Sequence, residues 1–160
     1  MVDAKNEILA KNEALSEQLQ KVLKAQDTRM KLYREFDIAF KDYLNGKCPE
    51  EQYSSVCKIV TEGFQEVSKE IQDVEKEVNK SDTVIGGMIR QLQNVEKERL
   101  EKVNNTANLQ ILTIRSKESD KDYDETIKQE QKGVKESTDK VYEIWDKLRE
   151  EMHGVASLIC

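Results

Sequence analysis

The sequence predicts an all-α protein: an elongated antiparallel bundle, or coiled-coil hairpin, of about four helices. Three observations lead there. The 160 residues contain one proline and six glycines, so little interrupts helical runs. Charged residues make up 36% and aromatics only 6%, which suits two-faced helices with a narrow apolar seam. One stretch keeps an unbroken seven-residue rhythm: Tyr53, Cys57, Val60, Phe64, Val67, Ile71, Val74 and Val78 recur at alternating steps of four and three. That spacing keeps one side of a helix against a partner.

The first helix is expected from about Asp3 to Leu44. Ile8, Leu15, Leu19 and Val22 begin its seam, and Tyr33, Phe36, Phe40 and Tyr43 resume it. Gln26 and Arg29 interrupt the stripe, either where a partner helix ends or as a polar layer that sets register. Asn45-Gly46 is a turn signal, and Pro49 suits a first helical position, with Glu50 and Glu51 on the positive end of the helix dipole. The second helix therefore folds back on the first.

A break at 79–83 offers Ser81 or Asp82 as the cap of a third helix, Thr83 to Arg115. Its seam reads Ile85, Met88, Leu92 and Val95, then slips by one residue near Arg99 to Leu100, Val103, Ala107, Ile111 and Ile114. Gly86-Gly87 weakens its start. Residues 116–126 are polar and charged, the composition of a linker. The last amphipathic helix, assigned to 127–160 with its start near Asp124, carries Ile127, Val134, Val141, Leu148 and Val155 at steps of seven, with Trp145 and Met152 between them. The expected organisation is a helical core over 1–115, a charged linker over 116–126 and this final helix. A first helix of some 42 residues would be roughly 63 Å long, which favours an extended shape.

Net charge is −6, distributed as +1, −4, +1 and −4 over residues 1–48, 49–80, 81–115 and 116–160. No segment has the basic footprint of a nucleic-acid binder, so direct nucleic-acid binding is disfavoured. No apolar run approaches a membrane span, and no apolar signal core opens the chain. Cys48, Cys57 and Cys160 form no paired framework, which fits a reducing intracellular compartment, nucleus or cytoplasm. Cys57 falls on the seam and reads as a small buried hydrophobe.

Catalytic patterns are missing. His153 is the sole histidine, and no nucleophile elbow or glycine-rich phosphate loop occurs. Glu150-Glu151-Met152-His153 has the Glu-x-x-His spacing of di-iron bundles, yet no second histidine completes such a site. The expectation is a non-enzyme with no cofactor and no metal. Recognition is the better use for the remaining candidates. Arg29, Lys31 and Arg34 form a basic group among acidic neighbours, readable as a solvated face or as an attachment point for an acidic partner. Trp145 is readable as a core anchor or an interface residue. Tyr33, Phe36, Phe40 and Tyr43 should form the hairpin core with Tyr53, Val60, Phe64, Val67 and Ile71, or an aromatic groove for a partner helix.

The run from Arg29-Met-Lys-Leu-Tyr-Arg-Glu-Phe to Tyr43-Leu44, the segment Val60-Thr61-Glu-Gly-Phe64-Gln-Glu-Val-Ser68 continuing to Glu77, and Ile89-Arg90-Gln-Leu92 through Leu100 resemble the required-for-excision B-type domain family. The resemblance covers residues 29–103. It implies a small helical intracellular protein with a link to DNA excision repair and transfers no catalytic residue. Together these readings suggest a helical adaptor or scaffold that binds other proteins by helix packing within a larger complex. The alternative is a structural coiled-coil part of a cytoskeletal or ciliary assembly such as a microtubule axoneme.

Overall fold

A computed structural model describes residues 4–115 and 123–159. Four helices account for nearly all of them: α1 (Ala4–Leu44), α2 (Glu50–Asn79), α3 (Thr83–Arg115) and α4 (Asp124–Ser157). Asp3, residues 116–122 of the expected linker and Cys160 lie outside the described residues. From Asp124 the chain is already helical, so the last three residues assigned to the linker belong to α4.

Each described turn has a local cause. Gly46 takes a left-handed φ of 74°, which lets Gly46 N donate to Tyr43 O and Lys47 N to Asp42 O, closing the end of α1. Pro49 sits one position earlier than expected, as the residue before α2. Its carbonyl accepts from Tyr53 N at 3.1 Å and so makes the first bond of the helix. Asp82, rather than Ser81, caps α3: its Oδ1 accepts from Val84 N and Ile85 N, both at 3.0 Å.

The chain runs up, down, up and down. Tyr33 meets Phe64 and Tyr43 meets Tyr53 across α1 and α2, while Glu75 meets Arg90 and Ser68 meets Gln93 across α2 and α3. Positions rising on one helix pair with positions falling on the next, as antiparallel neighbours require. α4 lies against α3, and also touches α1, closing the bundle.

The interior has two unequal parts. The larger core, at the α2–α3 turn end, combines Leu15, Leu19 and Val22 of α1 with Val67, Ile71 and Val78 of α2. Ile85, Ile89 and Leu92 of α3 and Val141, Trp145 and Leu148 of α4 complete it. All four helices contribute, and most of these side chains are sealed from water. The smaller core, toward the α1–α2 turn, holds Tyr33, Val60 and Phe64, with Leu32, Phe36, Leu100 and Val103 partly covered.

Two expectations are corrected here. Ile8 is 61% exposed rather than part of the seam. Residues 4–14 of α1 are exposed apart from half-buried Asn12, because the neighbouring helices turn back near the level of Leu15. On α3 the inward residues are Ile85, Ile89, Leu92, Gln93 and Glu96, so the buried face is rotated from the expected Met88 and Val95, which are half-buried.

Candidate interaction groove

Between the two cores lies a buried polar layer. Gln26 and Arg29 project from α1, and Gln93 and Glu96 from α3; none is more than 9% exposed. Arg29 Nη1 donates to Gln26 Oε1 at 2.9 Å, and Nη2 donates to Gln93 Oε1. Gln26 Nε2 and Arg99 Nη1 donate to Glu96 Oε1 at 3.4 and 3.3 Å. Gln93 Nε2 reaches across to the Ser68 carbonyl at 2.9 Å, tying in α2. Glu96 Oε2 has no hydrogen bond but faces Arg29 Nε at 3.7 Å. The layer satisfies nearly all of its own polar atoms, which makes its burial tolerable.

This environment shifts its titrating groups. Burial lowers the Arg29 guanidinium from its ordinary value, while the charge of Glu96 pulls it back. Burial raises the Tyr33 phenol well above the tyrosine range, and the Glu96 carboxylate pushes the same way. Arg99 lies 4.0 Å over the Tyr33 ring, so the aromatic floor carries a cation on one side.

Beyond the polar layer α2 and α3 part company, leaving a groove of about 700 Å³. Arg29, Gln93 and Glu96 form its head. Tyr33 and Phe36 of α1, with Phe64, form its floor, and Tyr53, Val60, Leu100 and Val103 flank it. The outer walls are polar: Thr61, Gln65, Ser68 and Gln72 on α2; Asn94, Lys97, Asn104 and Asn108 on α3. A second opening of about 470 Å³ lies on the other side, between α1 and the α3–α4 pair, and shares Tyr33, Phe36, Val103 and Ala107 with the first. This half of the bundle is thus two hairpins in loose contact.

Aromatic rings line the α1–α2 side. Tyr33 meets Phe64 edge to face at 4.7 Å, and Tyr43 stacks on Tyr53 at 4.7 Å. Phe36 lies 6.4 Å from Tyr53 and 5.9 Å from Phe40. Tyr33, Phe40, Val60, Phe64, Val67 and Ile71 are buried, whereas Phe36, Tyr43 and Tyr53 remain half-buried. The aromatic set therefore serves as core and as groove lining at once. Cys57 is half-buried on the groove wall rather than enclosed.

The basic trio does not form one surface. Successive helix residues rotate by about 100°, so Arg29 and Lys31 point nearly opposite ways. Arg29 is buried at 4% exposure, correcting its reading as a partner-facing cation, while Lys31 and Arg34 are exposed. Trp145 is 5% exposed among Val141 and Leu148 and acts as a core anchor, not a surface contact. Gln93 and Glu96 were missed by the sequence reading because a search for apolar rhythm passes over polar residues. Their one signal was the matching polar gap at Gln26 and Arg29.

No cluster of three or more histidine, cysteine, aspartate or glutamate side chains able to hold a metal occurs among the described residues. His153 is exposed. Among the described residues no helix is long and apolar enough to cross a membrane.

A heterochromatin silencing protein, rss1, of Schizosaccharomyces pombe (strain 972 / ATCC 24843) is 28% identical over 102 residues, spanning 64% of this chain and 76% of that protein. A family model described as DNA repair REX1-B matches residues 17–113, from α1 through most of α3, and so takes in both sides of the groove and the polar layer. That match extends beyond the 29–103 of the sequence resemblance and covers more than half the chain: the protein belongs to the DNA repair REX1-B family.

Proposed function

We propose that this protein is a non-enzymatic helical adaptor of nuclear chromatin, in repair or silencing, that receives another protein along the α2–α3 groove. One observation carries the reading. The groove is open and its floor is aromatic, yet its head is fixed by a hydrogen-bonded layer joining α1, α2 and α3. A preformed cleft with half-exposed aromatic rings is what helix-in-groove recognition uses, since little ordering is left for the binding step. Family membership and the silencing relative support a chromatin setting. Neither favours the filament or ciliary alternative.

The test is proximity labelling from the full-length protein in its own cells, with and without DNA damage, beside a variant whose groove mouth is filled. Thr61→Trp with Asn104→Trp suits this, because both positions are exposed helix sites on opposite walls. Chromatin, silencing or repair proteins labelled by the wild type and lost in the variant are expected. Labelling dominated by tubulin or axonemal proteins, unchanged in the variant, would overturn the reading.

A further inference from the structure

The adaptor reading leaves the chemistry of the partner open, and the walls of the groove narrow it. Along α3, the lining from Arg90 to Asn108 spans about 27 Å at the helical rise. All described elements are helices or turns, so no sheet edge is offered to an extended peptide, which would lie on the aromatic floor with unpaired backbone groups. A helix satisfies its own backbone and presents one apolar stripe. Its side chains at steps of three and four match the half-buried Phe36, Tyr53 and Val103 below.

The charge of the groove runs against that of the molecule. The chain carries −6, yet the charged side chains lining the groove are Arg29, Arg90 and Lys97 against the single Glu96. Glu96 is engaged within the protein by Arg29 and Arg99. The α2 wall offers only neutral Thr61, Gln65, Ser68 and Gln72. On the α3 wall, Lys97 is exposed and has no ion-pair partner among the described residues. Arg90 is 46% exposed although it pairs with Glu75 at 2.9 Å. An incoming carboxylate would meet Lys97 directly and Arg90 on the face that Glu75 leaves open, with Glu96 as the one carboxylate in the groove lining. Two accessible cations are too few for a nucleic-acid backbone, whose binding scales with the number of phosphates neutralised.

We infer that the groove's occupant is an acidic amphipathic helix of a protein partner, its apolar stripe seated on Phe36, Tyr53 and Val103 and its carboxylates facing Lys97 and Arg90. This rests on the adaptor reading and adds the sign of the partner's charge.

The test uses a displayed library of 18-residue helices with fixed apolar positions at i, i+4, i+7 and i+11 and randomised flanks. It is selected against the purified full-length protein. Enriched helices should carry aspartate or glutamate on one flank. Their affinity should fall about tenfold in Lys97→Glu and vanish in the groove-filled Thr61→Trp/Asn104→Trp protein. Melting followed by circular dichroism checks that the filled protein is folded; Gln65→Trp with Asn108→Trp replaces it otherwise. Enriched helices that are neutral or basic, but still excluded by filling, would overturn the acidic partner and leave the docking groove standing. Enriched helices indifferent to filling, or no enrichment above background, would overturn both. Displacement of acidic helices by a short DNA duplex, but not by an uncharged polymer, would reassign the cations to nucleic acid and also overturn the inference.

Discussion

Arg29 shares one buried layer with Gln26, Gln93 and Glu96, and its charge is tolerable only while those partners hold. Removing the carboxylate alone leaves a guanidinium without its counter-charge. Glu96→Met should therefore destabilise the fold by about 3–5 kcal/mol. Arg29→Met strands the opposite charge, although Arg99 still holds Glu96 and softens the loss. Combined as Arg29→Met/Glu96→Met, the pair should cost clearly less than its two single replacements together, because neither charge of the pair is left facing an empty partner and only Arg99, over the Tyr33 ring, loses its carboxylate. Urea denaturation of the four proteins gives the cycle; strictly additive losses would show that the layer is not coupled. Tyr33 beside it supplies a pH signal. Its phenol is raised by burial and by Glu96, while in the unfolded chain it titrates near the usual value of about 10. Above that pH the unfolded state binds fewer protons than the folded one. The contribution of Tyr33 is thus complete below about pH 10 and is lost as pH climbs through the folded value. Tyr33→Phe keeps the ring against Phe64 but removes the proton, so its stability should decline less steeply than that of the wild type between about pH 9.5 and 11.5. Equal slopes would mean that the phenol is not held protonated.

Helix ends are where local chemistry decides most. The Asn45-Gly46 turn and the Asp82 cap follow from residue types, and the observed bonds explain why α1 and α3 stop and start where the sequence places them. The glycine pair that follows separates two effects. A methyl group at Gly87 meets nothing within 4 Å, whereas one at Gly86 would collide with the Asn79 side-chain amide. Gly87→Ala should therefore stabilise the protein by about 0.5–1 kcal/mol through helix propensity alone. Gly86→Ala should gain less, since Asn79 has to swing outward. Thermal melting of the two variants checks this, and a larger gain from Gly86→Ala would contradict the packing at that turn. The buried face of α3 was harder to read. A helix covered by α2 on one side and α4 on the other buries a wider arc than a two-helix seam, so Ile89 turns inward beside Leu92 and the half-buried Met88. Gln93 and Glu96 complete that arc as polar residues and carry no apolar signal. The same limit hid the head of the groove, while its floor was visible as the aromatic run from Tyr33 to Tyr43. Arg29, Lys31 and Arg34 are close in the chain, but helix rotation buries Arg29 and leaves Lys31 and Arg34 exposed.

Across the whole molecule, apolar burial is concentrated at one end. Leu19, Ile71, Ile85, Ile89, Leu92 and Leu148 are each no more than 2% exposed, and all stand on the α2–α3 turn side of the polar layer. On the other side Phe36, Val56, Leu100 and Val103 are only partly covered, and two openings share that interior. Complete burial of an aliphatic side chain is worth about 1.5–3 kcal/mol relative to exposure, so the two ends differ in the energy that resists opening. Cooperative units follow such differences in contact density. The α1–α2 and α3–α4 hairpins should separate transiently at the groove end while the four-helix core and polar layer stay closed. Native-state hydrogen exchange tests this directly. Amides of residues 67–78 and 85–92 should exchange only with global unfolding, and those of 53–61 and 100–111 through a smaller opening that precedes it. Filling the groove mouth with Thr61→Trp and Asn104→Trp should slow the second set and leave the first unchanged. Equal protection of both sets in the wild type would mean that the bundle opens as one unit. The groove would then be a rigid slot, and a partner helix would have to enter it without the hairpins moving apart.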